Sequence, residues 1–183
     1  MERSTVFAGF GGQGLLFAGQ VLARAAMGEG RAVLWIPSYG PEMRGGTASC
    51  TVIVGDGAIG SPVVDRFDAA VTLNPPSMAR YEPLVTTGGL VVRNTTLIEA
   101  EPGRTDIETI GVPCTALARE AGDDRLVSIV ALGALLARRP LASTQAVYEA
   151  LAEILAAKRP ELLDANRGGF EAGLRAAGLV TAG

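Results

Sequence analysis

Short apolar runs alternate with helical stretches over the first two thirds of the chain. Strand-like runs cover residues 4–9, 32–36, 47–54, 69–73, 90–93 and 106–111. The stretch between the first two runs repeats its apolar positions every three to four residues until Gly28, which indicates a helix. The run 32–36 is apolar along its whole length, as is typical of a central parallel strand buried on both faces. Strand, glycine turn, helix and strand predict a βαβ unit within an α/β fold.

The sheet is predicted to be mixed rather than wholly parallel. The run 47–54 is rich in β-branched residues and leads into Gly55-Asp56-Gly57. Because Asp-Gly between two extended segments signals a hairpin, we expect residues 58–59 to turn back antiparallel. Short helices are expected at 76–81 and after Pro113.

The last third of the chain is predicted to be helical. Its apolar stretch 126–137 is well short of the roughly 20 residues that a membrane span needs, so it predicts a buried helix. Ser143 is the predicted N-cap of the next helix, and Pro160 suits the first turn of the last one. No linker separates these helices from the sheet. We therefore predict one domain, 1–183, with a three-layer α/β/α, Rossmann-like, mostly parallel but mixed sheet and C-terminal helices.

Composition excludes several function classes. The chain has 183 residues, of which 48% are hydrophobic, and its 16 Lys plus Arg stand against 19 Asp plus Glu. Without a basic block, nucleic acid is not an expected ligand. The N-terminal residues show no signal-peptide pattern, and the sequence shows no membrane span, so a cytoplasmic location is expected.

The chemistry available to the chain is limited. It has no histidine, so Ser-His-Asp and Cys-His relays are excluded, together with the commonest metal ligand. Its two cysteines, Cys50 and Cys114, lack the Cys-x-x-Cys spacing of zinc or iron–sulfur sites. We therefore expect no metal centre in this chain, and we assign no catalytic residue to it.

A glycine motif follows the first strand. Gly9, Gly11 and Gly14 have the Gly-x-Gly-x-x-Gly spacing of a turn that opens a helix and approaches a phosphate or another backbone. A dinucleotide site also needs an acid at the end of the second strand, but that strand ends in Ile36-Pro37. The nearest acid, Glu29, precedes it. A tight structural turn is thus favoured over nucleotide binding, which stays open.

A second motif is the loop that follows the second strand, 37–46, which reads Pro-Ser-Tyr-Gly-Pro-Glu-Met-Arg-Gly-Gly. Open α/β sheets bind ligands at the carboxyl ends of their strands. Arg44 beside two glycines can offer a planar fork and backbone donors to a carboxylate or phosphate. Alternatively, Glu42 and Arg44 form a surface ion pair in an ordinary turn. The candidate cofactor-binding residues of both motifs are Gly9, Gly11, Gly12, Gln13, Gly14, Ser38, Tyr39, Glu42, Arg44 and Gly45.

Together the two motifs resemble the γ-subunit family of 2-oxoacid:ferredoxin oxidoreductases. The resemblance extends along nearly the whole chain through Ser61-Pro62, Asn74, Gly88-Gly89, Asn94, the run 131–134, Asn166 and Phe170. Tyr39 and Met43 resemble the 2-oxoglutarate or pyruvate type, since the indolepyruvate branch has His and Gln in those places. Ser128 departs from the pattern, which has Asn there.

The resemblance implies a non-redox subunit. Members of the family oxidatively decarboxylate a 2-oxoacid on thiamine diphosphate, pass electrons through iron–sulfur clusters to ferredoxin, and release an acyl-CoA. Thiamine diphosphate, magnesium, the clusters and coenzyme A would belong to the assembled complex with α and β, and in some cases δ, subunits. In that complex Tyr39, Glu42 and Arg44 would face the partner subunits or the coenzyme A path, while the isolated chain would be inactive.

Two other interpretations remain open at this stage. One is a stand-alone NAD- or FAD-dependent oxidoreductase, supported by the glycine turn and opposed by the missing acid. The other is a non-catalytic homo-oligomeric binding module. Whether the isolated chain pairs as a homodimer is also left open.

Overall fold

The computed structural model describes residues 1–38, 47–156 and 159–178. Its strands are β1 (Glu2–Phe10), β2 (Ala32–Ser38), β3 (Thr47–Gly55), β4 (Phe67–Thr72), β5 (Val85–Asn94) and β6 (Glu108–Val112). Its helices are α1 (Leu15–Gly28), α2 (Pro75–Tyr81), α3 (Cys114–Glu120), α4 (Val127–Arg138), α5 (Thr144–Ala156) and α6 (Leu163–Gly178). Single turns of 3-10 helix occupy Glu82–Leu84, Asp124–Leu126 and Pro160–Leu162.

The six strands form one mixed sheet in the order β2-β3-β1-β4-β5-β6. β1 lies inside the sheet, parallel to β4 and antiparallel to β3, and its residues 4–9 are all buried. β5 and β6 continue the parallel half. The predicted mixed sheet is confirmed, and β3 is the strand that runs against the others.

The prediction that residues 32–36 form a central strand buried on both faces is wrong. Within the described residues β2 is an edge strand that pairs antiparallel with β3 alone, from Ala32 opposite Gly55 to Ser38 opposite Ser49. None of its residues is fully buried, and Trp35 is 37% exposed. Its apolar side chains reflect partial packing, with Val33 against the main core and Trp35 close to Gly19 of α1. β3 also separates β2 from β1, so the strands of the predicted βαβ unit are not neighbours.

The hairpin predicted at Gly55-Asp56-Gly57 is wrong as well. Residues 58–59, which the structure describes, belong to no strand, because both sides of β3 are already paired with β1 and β2. The antiparallel hairpin is instead formed by β2 and β3, so the partner strand precedes β3 in the sequence and does not follow it. Gly57 belongs to the exit turn, where its carbonyl oxygen lies 2.9 Å from the position of a Cβ on Gly55.

The two faces of the sheet are covered unequally. The larger core cluster packs one face under α1, α4 and α5, with α3 and α6 joining it. The smaller cluster, on the other face, includes Val6, Ala8 and Ala70 of the sheet with Met78 and Tyr81 of α2. The predicted α/β/α class is confirmed, but the third layer consists of little more than one short helix and its connecting loops.

The C-terminal helices follow their predicted signals closely. α4 is buried over ten consecutive residues, and the Ser143 hydroxyl accepts a hydrogen bond from the Ala146 amide at 3.2 Å before α5. Pro160 opens a 3-10 turn, and α6 begins after it at Leu163. None of the helices in the described ranges is long and apolar enough to cross a bilayer.

α4 and α6 cross with their backbones in close approach. A Cβ on Gly173 would overlap the Val130 carbonyl oxygen and lie 3.0 Å from the Ala134 amide nitrogen. A Cβ on Gly133 would overlap the Phe170 carbonyl oxygen. Glycine is therefore required on both sides of this crossing.

Candidate functional site

The glycine turn lies where β1 ends. The Gln13 amide donates to the Phe10 carbonyl at 3.3 Å, and the Phe10 amide donates to Gln13 Oε1 at 2.6 Å. Gly12 and Gly14 have φ values of 92° and 75°, in the left-handed region that favours glycine. Gly11 and Gly12 are exposed at the tip of the turn. The turn is thus fixed from within by one side chain and leaves its tip accessible.

Gly9 sets the turn against the neighbouring strand. A Cβ there would overlap Gln13 Oε1 and lie 3.0 Å from Leu73 Cβ. The Leu73 amide in turn donates to the Ala8 carbonyl at 2.9 Å. The absence of a side chain at Gly9 therefore lets the Gln13 side chain fold back beside the end of β4.

Ser128 of α4 holds the other end of the turn. Its hydroxyl donates to the Gly14 carbonyl at 3.0 Å, and a Cβ on Gly14 would lie only 2.8 Å from Ser128 Oγ. Gly14 is the N-cap of α1, which has no acidic residue in its first turn. Sequence reasoning noted Ser128 only as a departure from the family pattern and missed this contact. The available signal was a hydroxyl at the start of an apolar helix.

Two asparagines line the same edge of the sheet. Asn74, after β4, caps α2 by accepting the Ser77 amide at 2.9 Å, and within the described residues its buried Nδ2 has no partner. Asn94, at the end of β5, donates to the Leu73 carbonyl at 3.2 Å and to Thr115 Oγ1 at 2.9 Å. Asn94 thus joins β4, β5 and α3. In the sequence, both asparagines were recognised only as positions that fit the family pattern, and these contacts were not predicted.

The second motif begins at this edge, and the residue that follows it in the sequence, Thr47, lies there as well. Ser38 closes β2 opposite Ser49, and Thr47 opens β3 opposite Phe10 of the glycine turn. The structure thus brings Ser38 and the flanks of the loop to the side of the sheet that holds the turn. The remaining candidates of this motif, Tyr39, Glu42, Arg44 and Gly45, lie outside the described residues, so their roles stay predictions.

The described side chains at this edge are suited to binding and positioning. Ser128, Asn74, Asn94 and Gln13 offer hydroxyl and amide groups, which do not transfer protons near neutral pH. Burial raises the pKa of the Cys50 and Cys114 thiols to about 12, which keeps both protonated and poor nucleophiles. Cys50 donates to the Leu15 carbonyl at 3.3 Å.

The topology also bears on dinucleotide binding. In that class of site the second strand lies beside the first and carries an acid for the ribose. Here antiparallel β3 lies between β1 and β2, and β2 ends in Ile36, Pro37 and Ser38. The nearest acid, Glu29, instead accepts the Ser143 amide at 3.0 Å. The geometry therefore disfavours the dinucleotide interpretation of the glycine motif.

The sheet and its glycine turn define the class of open α/β domains that present a binding edge at the carboxyl ends of parallel strands. Within that class, the chain belongs to the pyruvate ferredoxin/flavodoxin oxidoreductase family, whose model matches residues 4–176.

Relatives of known name support the same family. The chain is 37% identical to the ketoisovalerate oxidoreductase subunit VorA of Methanothermobacter thermautotrophicus over 94% of its own length, but it spans only 36% of that relative. It is 36% identical to the 2-oxoglutarate synthase subunit KorC of Archaeoglobus fulgidus, covering 95% of this chain and 89% of KorC. In length, therefore, the chain matches KorC and about a third of VorA.

Solved structures share the fold. The γ subunit of a keto/oxoacid ferredoxin oxidoreductase from Geobacter sulfurreducens superposes with a TM-score of 0.83 at 29% identity, over 96% of this chain and 98% of that one. The 2-oxoglutarate:ferredoxin oxidoreductase of Magnetococcus marinus, solved with 2-oxoglutarate, coenzyme A and succinyl-CoA bound, gives a TM-score of 0.88 at 24% identity. It contains the fold in 32% of its chain.

Proposed function

We propose that the chain is the non-redox γ-type subunit of a thiamine diphosphate-dependent 2-oxoacid:ferredoxin oxidoreductase that forms an acyl-CoA. The observation that carries the proposal is its match to KorC and to the Geobacter γ subunit over nearly the full length of all three chains. The edge of the sheet that carries the glycine turn supports a positioning role. Gln13 and Ser128 there offer an amide and a hydroxyl group that are fixed by hydrogen bonds. In this proposal residues 1–183 act as one domain.

The chemistry would be supplied by the assembled enzyme. Thiamine diphosphate, magnesium and the iron–sulfur clusters would reside in α, β and, where present, δ subunits, with ferredoxin as the electron acceptor. Coenzyme A would pass near the glycine turn and the loop 37–46; the Magnetococcus enzyme, which contains this fold in 32% of its chain, was solved with coenzyme A bound. The substrate would be 2-oxoglutarate or pyruvate, and the complex would work in the cytoplasm.

Two alternatives predict different behaviour of the purified chain. A stand-alone dinucleotide-dependent enzyme would bind NAD with micromolar affinity or better, which calorimetry measures directly. A homo-oligomeric module would purify without larger partners. The proposed subunit instead binds NAD weakly, shows no iron–sulfur absorption and reduces no viologen with 2-oxoglutarate or pyruvate by itself. It should co-purify from its native host with a thiamine-binding chain and a cluster-binding chain.

The sharpest test concerns Arg44, which follows Met43 and precedes two glycines. We expect Arg44→Ala to lower the activity of the reconstituted complex at least tenfold. Removing one partner of a desolvated charge pair costs about 2–5 kcal/mol, and about 1.4 kcal/mol corresponds to a factor of ten. The thermal melt of the free chain should change little, as at most surface sites.

The matched control is Arg119→Ala, because Arg119 is 63% exposed and pairs with Asp124 on the surface. This variant should reconstitute with full activity. Normal activity of Arg44→Ala would show that its loop is an ordinary surface turn. A collapsed melt would show instead that Arg44 is structural.

A further inference from the structure

A cavity of about 510 Å³ opens at the amino ends of the parallel strands. The glycine turn lies at the other end of these strands, where β1 ends. Thr5 and Arg3 of β1 line it, together with Arg31 before β2 and Arg139 after α4. Val54 and Leu141 supply apolar wall. Thr5 precedes Phe10 by five residues of strand, which places the two roughly 17 Å apart. The cavity is therefore separate from the candidate site.

The cavity is lined by an excess of cationic side chains. Three arginines stand against two carboxylates, Asp56 and Asp68. The Arg31 guanidinium makes one hydrogen bond in the described residues, and its acceptor is a neutral group: Nη1 donates to the Leu141 carbonyl at 3.0 Å. Its Nη2 is 3.7 Å from Asp56 Oδ1, which is too far for a hydrogen bond. A guanidinium has five N–H donors, so most of those on Arg31 remain available.

The other two arginines that line the cavity pair with carboxylates. Arg3 Nη1 donates to Asp68 at 3.1 Å, and Arg139 donates to Glu108 at 2.9 Å and to the Gly88 carbonyl at 3.2 Å. Neither uses all of its donors in these contacts. Arg139, which contacts both a carboxylate and a backbone carbonyl, is thus positioned before a ligand binds, which lowers the ordering cost of binding one.

Thr5 adds a buried hydroxyl without a partner. The residue is 1% exposed, and within the described part of the chain its Oγ1 makes no hydrogen bond. Buried polar groups in native proteins nearly always have a partner, so each exception calls for an explanation. A ligand oxygen in the adjoining cavity would provide one.

We propose that this cavity binds a small organic anion. Its oxyanion head, a carboxylate or a phosphate, lies among the guanidiniums of Arg31, Arg3 and Arg139 and accepts from the Thr5 hydroxyl. Its apolar body packs against Val54 and Leu141. The volume lies within the range of about 300–1,000 Å³ that is usual for small-ligand sites.

The test is calorimetric titration of the full chain with two probes, inorganic phosphate and butanoate. Saturable binding of either supports the proposal, and the stronger probe identifies the head group. Arg31→Gln should weaken binding roughly tenfold and Thr5→Val roughly fivefold, as expected for charged and neutral hydrogen bonds to an anion. Thr5→Val should leave the thermal melt unchanged or raise it, because it removes an unsatisfied hydroxyl.

Two matched controls separate binding from general effects. Thr109→Val removes another buried hydroxyl without a partner in the described residues, and Thr109 does not line the cavity. Arg24→Gln removes a surface arginine that pairs with Glu153 at 3.4 Å. Both controls should bind the probes like the wild type. The proposal is overturned if neither probe binds saturably below about 10 mM, which would be weaker than roughly 3 kcal/mol. It is also overturned if the controls weaken binding as much as Arg31→Gln.

Discussion

Replacing Gly173 by alanine should separate the two most closely packed helices of the fold. The new Cβ would overlap the Val130 carbonyl oxygen and lie 2.8 Å from its carbon. Both are backbone atoms of α4, so no side-chain rotation relieves the contact. Because non-bonded heavy atoms rest about 3.5 Å apart, α6 must move away by at least about 1 Å.

The magnitude follows from three effects. Overpacking of a close-packed interface costs about 1–3 kcal/mol, and sometimes more. The displacement also loosens the packing of Phe170, which is fully buried at this crossing. Against these costs, alanine stabilises a helix interior by about 0.5–1 kcal/mol relative to glycine. We expect a net loss of about 1–3 kcal/mol in the free energy of unfolding.

Urea unfolding of the free chain, followed by circular dichroism, measures this loss. Gly168→Ala is the matched control, because Gly168 lies in the same helix and a Cβ there meets nothing within 4 Å. That variant should gain about 0.5–1 kcal/mol. If Gly173→Ala is as stable as the wild type, or gains like the control, the close approach of α4 and α6 does not govern stability and the reasoning fails.

Three further expectations concern a helix cap, a carboxylate and the thiols. Ser143→Ala removes the N-cap bond to the Ala146 amide and should lower the free energy of unfolding in urea by about 1 kcal/mol. The pKa of Glu29, which is lowered chiefly by the Ser143 side chain, should rise towards its usual value in this variant. An unchanged unfolding midpoint would refute the role of Ser143 as a cap. Hydrogen bonds from Arg104 and Thr87 lower the pKa of Asp106 to about 2, so any stability it contributes is present above its ordinary pKa and is lost as the pH falls from about 4 to about 2. An NMR titration with Thr87→Val as comparison checks this, and an ordinary Asp106 pKa would contradict it. Finally, Cys50 and Cys114 should resist a disulfide reagent at pH 8 in the native chain and react in urea, since burial raises the pKa of both thiols to about 12; rapid reaction of the native chain would show that the core opens readily.

The features that were predicted correctly from the sequence depend on residues that lie close together along the chain. The apolar run 126–137 correctly predicted the buried helix α4, because a helix that is buried on all sides has no polar face. Ser143 and the glycine turn were identified from cap and turn chemistry, which operates over three or four residues. These signals do not depend on which distant segment packs against them.

The wrong or missed predictions concern which distant segments pair with or contact each other, and a local sequence pattern does not determine this. Trp35 and its neighbours look like a central strand because edge and central strands can share an apolar composition. The Asp56-Gly57 pair satisfies the chemistry of a hairpin, yet β1 and β2 already occupy both sides of β3. Likewise, the bond from Ser128 to Gly14 joins residues 114 positions apart, and a hydroxyl at the start of α4 does not by itself identify its acceptor.

The interior position of β1 has a consequence for how the chain is made. Its pairing partners are β3 and β4, so its neighbours are complete only once Thr72 has been synthesised. At about 5–20 residues per second, the ribosome needs roughly 3–12 s to travel from Phe10 to Thr72. During that interval this interior strand has no complete pairing surface, and its apolar residues are open to chaperones or to other nascent chains. The rate of translation through residues 11–72 therefore bears on the yield of folded protein, independently of the stability finally reached.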